Sequence, residues 1–426
     1  MQLEIEKMIY GGDGLARYAQ PGEPRGKAVF VPFTLPGERV EAALVEQRPG
    51  FIRASVTNVL SASSKRIEPH CPYFFRCGGC HYQHTDYAHQ LEIKTGILRE
   101  TLRRTAHLDW QDEIAVHPSP QWNYRNRTRL RVREQPFALG YYRLGTHELL
   151  PVEQCPISSA LINRAIGEIW ELGRQGKFAH SGIEEIVFFA ERDDAEMLVE
   201  LYVGRGAEPA AFAGLATALQ NAMPQVSSVA WFAAGATSAP AQVVGSSSLD
   251  YQAGAQSYRV SVGSFFQTNR FLTEKLIDLA TAGRSGKLAL DLYAGVGLFA
   301  LPLARNFEKV VAVEAAPQSF ADLKHNAPRN VFARQATTEH FLTSKSLAGK
   351  PELIVVDPPR AGLGERVTKA LAGLEAPRLS YISCDPATAA RDLSALVRSG
   401  YRLETVALVD LFPQTFHIES IFQLVR

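Results

Sequence analysis

Cys384 stands in YISCDPAT, residues 381–388, and no other cysteine follows Cys155. A cysteine thiolate is a strong nucleophile, so the first question is what would ionise it. The apolar run before Cys384 reads as a strand. Asp385 suits a helix N-cap and Pro386 a first helical residue. A helix N-terminus beside the thiol favours thiolate. Two carboxylates come into play with it. Asp357 ends the apolar run of VVDPPRAG (355–362), and the prolines after it keep it out of a helix. Glu419 lies in DLFPQTFHIE (410–419), on the same strand face as His417. Either side chain is a candidate proton acceptor.

A cofactor turn accompanies these groups. In LDLYAGVGLFA (290–300) a strand ends in Asp291, a turn follows at Gly295 and Gly297, and a helix begins. Glycines there let a ligand approach the backbone. Glu314 ends the next strand, where a carboxylate can accept hydrogen bonds from a ribose. Gly295-Val-Gly297-Leu-Phe-Ala300 also fits a dinucleotide pattern, so the turn alone does not separate nicotinamide from S-adenosylmethionine.

Two further clusters stand apart from this edge. CPYFFRCGGC (71–80) holds three of the five cysteines. YRNRTRLRVR (124–133) carries Arg125, Arg127, Arg129, Arg131 and Arg133. On a strand, period two puts all five guanidinium groups on one side. Such a row asks for a polyanion, with an RNA or DNA backbone the natural partner, or for neighbouring carboxylates.

The elements that must position these groups follow from the hydrophobic pattern. Residues 1–60 alternate in short runs with Gly and Pro turns, as in a small β-barrel. Residues 61–270 hold the cysteine segment and an α+β region. In 87–106 a helical stripe runs through Tyr87, Leu91, Leu98 and Leu102. The uncharged stretch 209–249 reads as a helix and a buried hairpin. Residues 271–426 carry KLALDLYA, KVVAVEA, PELIVVDPP and RLSYISCDP, the pattern of a doubly wound α/β sheet. YRLETVALVDLF and IESIFQLVR are separated by a short loop and should end that sheet as an antiparallel pair.

Composition narrows the setting. The formal net charge is +1, which neither demands nor excludes nucleic acid. No apolar run is long enough for a membrane span, and the start lacks a signal-peptide pattern. Five clustered cysteines do not form a disulfide framework, which points to the reducing cytoplasm.

Taken together, the motifs resemble the RNA 5-methyluridine methyltransferases over nearly the whole chain. SFFQTN (264–269), LDLYAGVG, VVDPPRAG, YISCDPAT and DLFPQTFHIE occur in that family's order. The resemblance implies a Rossmann-like S-adenosylmethionine methyltransferase domain behind a TRAM-type RNA-binding barrel. It implies Cys384 as nucleophile and Glu419 as base, Asp357 and Phe265 on the uracil, and Gln267, Tyr293, Gly295, Gly297, Glu314 and Asp357 around the cofactor. It also implies an iron–sulfur cluster, 4Fe-4S, on Cys71, Cys77, Cys80 and Cys155, as in the branch acting on 23S ribosomal RNA. The spacing C-x5-C-x2-C with one distant cysteine is nearer a ferredoxin layout than a zinc site, although His70, His81 and His84 keep zinc open. The enzyme is expected as a monomer. The same chemistry on a transfer-RNA T-loop uridine is the alternative. A nicotinamide oxidoreductase or a non-catalytic RNA-binding protein would leave Cys384, DPPR and Glu419 without a common purpose. One departure stands out. The family commonly has Asn after the nucleophile, whereas Asp385 adds a negative charge that opposes thiolate formation.

Overall fold

In LEIEKMI alternate side chains are buried, and that alternation closes a barrel. A computed structural model describes residues 1–19, 26–204, 210–233, 239–344, 347 and 349–426. In it, strands Gln2–Met8, Asp13–Tyr18, Lys27–Pro32, Arg39–Gln47 and Phe51–Ser61 form a closed five-stranded barrel. Its small interior is filled by Ile5, Ala16, Val29, Val31, Val40 and Ile52, among others.

The cysteine segment follows without regular structure. Helix Tyr87–Thr101 then begins at Asp86, whose carboxylate accepts the His89 N–H at 2.8 Å. Its buried face runs through Gln90, Ile93, Lys94, Ile97 and Leu98, so the expected stripe is rotated. Two polar residues lie on that face because they hold a loop of the active site.

The central sheet has seven strands. Arg127–Arg133 pairs antiparallel with Ile183–Ala190 and with Ala138–Tyr142. Helices Ala160–Arg174 and Ala210–Ala222 cover one face. The other face packs Phe189, Leu198 and Phe232 into the core of the C-terminal unit. In the uncharged stretch a helix and the hairpin Val226–Phe232 with Gln242–Gly245 are present; residues 209 and 234–238 lie outside the described residues. The second hairpin strand is an edge and is half-exposed rather than buried.

The C-terminal sheet is Rossmann-like. Strands Val331–Gln335, Phe307–Glu314, Gly286–Leu292, Leu353–Val356 and Arg378–Ser383 run parallel in that spatial order. Leu353–Val356 is buried throughout, as parallel strands covered on both faces are. Glu419–Val425 inserts antiparallel between Arg378–Ser383 and Arg402–Val409. An eighth strand, Ile114–His117, joins parallel to Arg402–Val409. That strand and helix Tyr87–Thr101 come from the stretch read above as the central region, yet both pack on this sheet. Chain order alone hides this, since the hydrophobic pattern does not say which sheet a short strand joins.

Candidate active site

Three chain segments meet at the carboxyl edge of this sheet. Strand Arg378–Ser383 delivers Cys384, and helix Pro386–Arg398 starts directly after it. Asp385 caps that helix, its Oδ1 accepting from Ala387 N at 3.0 Å and Thr388 N at 2.9 Å. Strand Leu353–Val356 delivers Asp357. Because Glu419–Val425 is antiparallel, its first residue lies at the same edge. Ser383 pairs with Ser420, so Cys384 and Glu419 each lie one residue from the last rung of this ladder.

The electrostatics of this edge differ from the expectation of a ready thiolate. Burial pushes the Cys384 thiol up to about 12, and the charges of Glu419 and Asp357 add to that. Arg360 opposes the shift, and Asp385 reinforces it. Burial, with these carboxylates adding to it, therefore outweighs the helix N-terminus. Asp357 is itself raised to about 7 by burial. Glu419 is raised well above the usual carboxylate range by burial and by Asp357.

Arg360 is a site residue that the motif reading passed over, although it stands inside the quoted DPPR. Its Nη2 lies 3.4 Å from Nε2 of His417. Burial, then Arg360, push the His417 imidazole down to about 3. A neutral imidazole facing a guanidinium is a poor proton acceptor, which leaves Glu419 as the better base.

The cofactor candidates line one narrow cleft. Gln267, Tyr293, Gly295 and Asp357 share it with Phe265, which is 62% exposed at its mouth. Gly295 has φ +55° and open space where a Cβ would stand. At Gly297, with φ +102°, a Cβ would come within 2.6 Å of Leu301. The first glycine leaves room for a ligand, and the second permits close helix packing. Glu314 turns its carboxylate onto Gly295 N at 2.8 Å and Ala316 N at 2.6 Å, which fixes the turn. Asp291, behind the turn, is fully buried and neither carboxylate oxygen has a hydrogen-bond partner. Burial raises it to about 8; Ala300 N–H faces it without reaching bonding geometry, and Asp357 and Glu314 add repulsion.

Loop 410–418 joins the nucleophile edge to distant parts of the chain. Lys94 Nζ donates to Asp410 Oδ1 at 2.6 Å and to the Phe412 carbonyl at 2.9 Å. Tyr87 donates to Asp410 Oδ2 at 2.9 Å. Gln90 exchanges two hydrogen bonds with Gln414. The Gln414 carbonyl accepts from His81 N and Tyr82 N, directly after Cys80.

The four remaining cysteines converge. Cys71, Cys77, Cys80 and Cys155 line one cavity of about 210 Å³, together with Gln83, Arg125, Arg129 and Tyr141. Burial raises the thiols of Cys71, Cys77 and Cys80, with Cys77 at about 11, and neighbouring thiols add to the shift. Asn163 holds Cys155 in place by accepting its N–H at 2.7 Å. Among the described residues, no group of three or more His, Cys, Asp or Glu is gathered so as to hold a metal ion. None of His70, His81 and His84 lines the cavity; His84 is buried against Phe74 and His70 packs on Trp122.

The arginine strand alternates as expected, with Thr128 and Leu130 buried between the arginines. Three of its five charges face two carboxylates. Arg127 pairs with the buried Glu200 at 3.0 Å, and Arg129 and Arg131 both pair with Glu185. Arg125 and Arg133 turn back onto backbone carbonyls of Arg127 and Pro136. The row is therefore a salt-bridged strand, and free phosphate-binding capacity is concentrated in few of its members.

With this geometry, the chain can be set beside known proteins. The family model described as tRNA (Uracil-5-)-methyltransferase matches residues 86–426. The chain belongs to this family. Within the family, it is 34% identical to an uncharacterised RNA methyltransferase of Aquifex aeolicus, covering 99% of this chain and 97% of the other. It is 30% identical to the 23S rRNA (uracil(1939)-C(5))-methyltransferase RlmD of Shewanella frigidimarina, covering 99% and 94%. The crystal structure of Pyrococcus abyssi tRNA (uracil-54, C5)-methyltransferase with S-adenosyl-L-homocysteine shares the fold, with TM-score 0.76 at 24% identity over both whole chains. Family membership makes this an RNA uracil-C5 methyltransferase by class. No described helix is long and apolar enough to cross a membrane.

Proposed function

We propose that the protein methylates uracil C5 in 23S ribosomal RNA, using S-adenosylmethionine. The observation that carries this reading is the meeting of Cys384 and Glu419 at one ladder end, with Asp357 beside them. Uracil C5 is a poor nucleophile. The Cys384 thiol gives its proton to a neighbouring ionised carboxylate as its sulfur adds to C6, which forms an S–C6 bond and moves the ring electrons toward the C4 oxygen, leaving C5 nucleophilic. S-adenosylmethionine, when bound, supplies the methyl group on a sulfonium. Glu419 then takes the C5 proton, the C5=C6 bond re-forms, and Cys384 leaves. Asp357 would hydrogen-bond the uracil edge. Phe265 offers its exposed ring to a base extruded from the RNA fold. Gln267, Tyr293 and Gly295 line the cleft that would hold the cofactor, with Gly297 and Glu314 shaping the turn behind it.

We infer, further, that Cys71, Cys77, Cys80 and Cys155 hold a 4Fe-4S cluster. The support is a cavity of about 210 Å³ lined by all four thiols, several times the roughly 30 Å³ share of one water. It is wide for one ion and suits a many-atom group. Bound there, the cluster would staple the segment before helix Tyr87–Thr101 to the loop holding Cys155. An anaerobic preparation should contain iron and sulfide. Zinc without either would overturn the assignment.

The ribosomal reading rests on the relatives named for 23S rRNA, which match over almost the whole chain. The family description and the archaeal structure both concern tRNA, and they favour a T-loop uridine as the second reading. Tritium release from 5-tritiated uridine, in 23S rRNA fragments and in tRNA transcripts, separates the two. Release from neither RNA with S-adenosylmethionine present would overturn both.

A further inference from the structure

The β-turn between the first two barrel strands reaches the catalytic edge. Its sequence is Ile9-Tyr10-Gly11-Gly12-Asp13, closed by Gly12 N to Ile9 O at 3.2 Å and Ile9 N to Asp13 O at 3.0 Å. Gly11 and Gly12 take φ +111° and +93°, the left-handed region that glycine tolerates. A Cβ on Gly12 would meet His81 at 3.1 Å, so the turn is pressed against the cysteine segment. This close seating aims Tyr10 at the nucleophile turn. Its ring packs edge-on against Phe416 at 5.4 Å, and the His81 ring meets the same Phe416 at 4.6 Å. Its hydroxyl donates to the Cys384 carbonyl at 3.3 Å and faces the Asp385 side chain, short of a full hydrogen bond to it.

We propose that Tyr10 is a positioning residue for the nucleophile, its hydroxyl donating to the Cys384 carbonyl and facing the Asp385 side chain. The assignment of Cys384 as nucleophile is the reading on which this rests. Two consequences follow from the bond pattern. The bridge fixes the turn that carries the thiol to the barrel, 374 residues away in sequence. It also turns a hydroxyl dipole toward Asp385, which already accepts from the Ala387 and Thr388 N–H groups and the Thr388 hydroxyl, and so draws the carboxylate's charge away from the sulfur. That is how Asp is accommodated where a neutral Asn would suit a thiolate better. The other charged groups facing the thiol are Glu419, Asp357 and Arg360. Tyr10 itself is faced by Asp385, Cys384 and Arg360.

A double-mutant cycle tests the bridge without RNA. The probe is iodoacetamide on the full chain, with Cys384 alkylation followed by peptide mass spectrometry between pH 7.5 and 10. Tyr10→Phe keeps the ring against Phe416 and removes the donor. It should slow Cys384 alkylation about three- to tenfold, which displaces the rate profile upward by about 0.5–1 in pH. Asp385→Asn should speed alkylation, and Tyr10→Phe should then change the rate less than about twofold. An unchanged rate in Tyr10→Phe would overturn the proposal. So would an equal slowing in the Asp385→Asn background, because that describes general loosening. Methylation by Tyr10→Phe should show a lower kcat with an unchanged KM for RNA. Methylation by Cys384→Ala would refute the nucleophile reading, whereas the alkylation cycle reports on Tyr10 independently of it.

Discussion

Cys384 and Glu419 each lie one residue from the Ser383–Ser420 rung, the last that joins their antiparallel strands, and Glu419 acts on the Cys384 thiol. The proposed nucleophile and base are thus brought together by sheet register, and a slip of either strand would part them. If Cys384 attacks C6 and Glu419 removes the C5 proton, the two substitutions must fail differently. Cys384→Ala should give no adduct and no product. Glu419→Gln should cut turnover by about 10²–10⁴-fold and leave RNA covalently attached, visible as a shifted band on a denaturing gel.

Arg360 supplies positive charge to an edge crowded with acids. Replacing it with Met should raise the Cys384 thiol further and ease protonation of His417, since Arg360 opposes both. At fixed pH, a thiol pKa raised by about one should slow Cys384 alkylation about tenfold. The pH–rate profile of methylation should move to higher pH.

Asp291 gives a stability signature. Its folded value of about 8 lies far above the unfolded value of about 3.9. Between those limits the native state holds a proton that the unfolded chain has released. Stability therefore falls as pH rises from about 4 to about 8 and then levels off. Asp357, raised to about 7, contributes in the same direction. Asp291→Asn removes one such group. Its melting temperature should exceed that of the parent by more at pH 8 than at pH 5, with roughly 2–4 °C for each kcal/mol regained.

The buried pair Lys94–Asp410 holds the loop that leads to Glu419. Lys94→Met strands a buried carboxylate and should cost about 3–5 kcal/mol of stability, read by denaturant unfolding. Lys94→Met with Asp410→Leu removes both charges and should regain most of that stability. Activity should stay low in both, because the Phe412 carbonyl loses its donor and the loop is no longer fixed.

The arginine strand divides by burial. Arg127→Gln leaves Glu200 buried with only Tyr202 and Gly263 as donors, and should cost about 2 kcal/mol. Its effect on RNA affinity should be small. Arg129→Gln and Arg133→Gln lie on exposed side chains and should weaken RNA binding, with a shallower salt dependence in filter-binding or anisotropy titrations.

What could be read before the fold was known followed from local rules. Asp385 and Pro386 announced a helix start, the apolar runs announced buried parallel strands, and the short C-terminal loop announced an antiparallel pair. What could not be read depends on contacts distant in sequence. Tyr10 looks like an ordinary turn residue until the barrel is seated. Gln90 and Lys94 look like surface positions until loop 410–418 covers them. The raised Cys384 thiol has the same origin. The cap that favours ionisation is local, while the burial that opposes it, and the Glu419 and Asp357 charges that add to it, come from other strands. The arginine row was legible as a row, but the carboxylates that face it come from Glu185 and Glu200 on neighbouring strands.

The clamp on Gln414 has a consequence for dissecting this protein. His81 N and Tyr82 N, Gln90, Lys94 and Tyr87 all end on residues 410–414. A fragment starting at residue 271 would contain nearly every group assigned to methyl transfer and yet lack these supports. It would also lack strand Ile114–His117 and would leave the Arg402–Val409 edge bare. Catalytic parts and catalytic unit therefore do not coincide, and a truncated protein should be aggregation-prone and inactive rather than a smaller enzyme with relaxed choice of RNA.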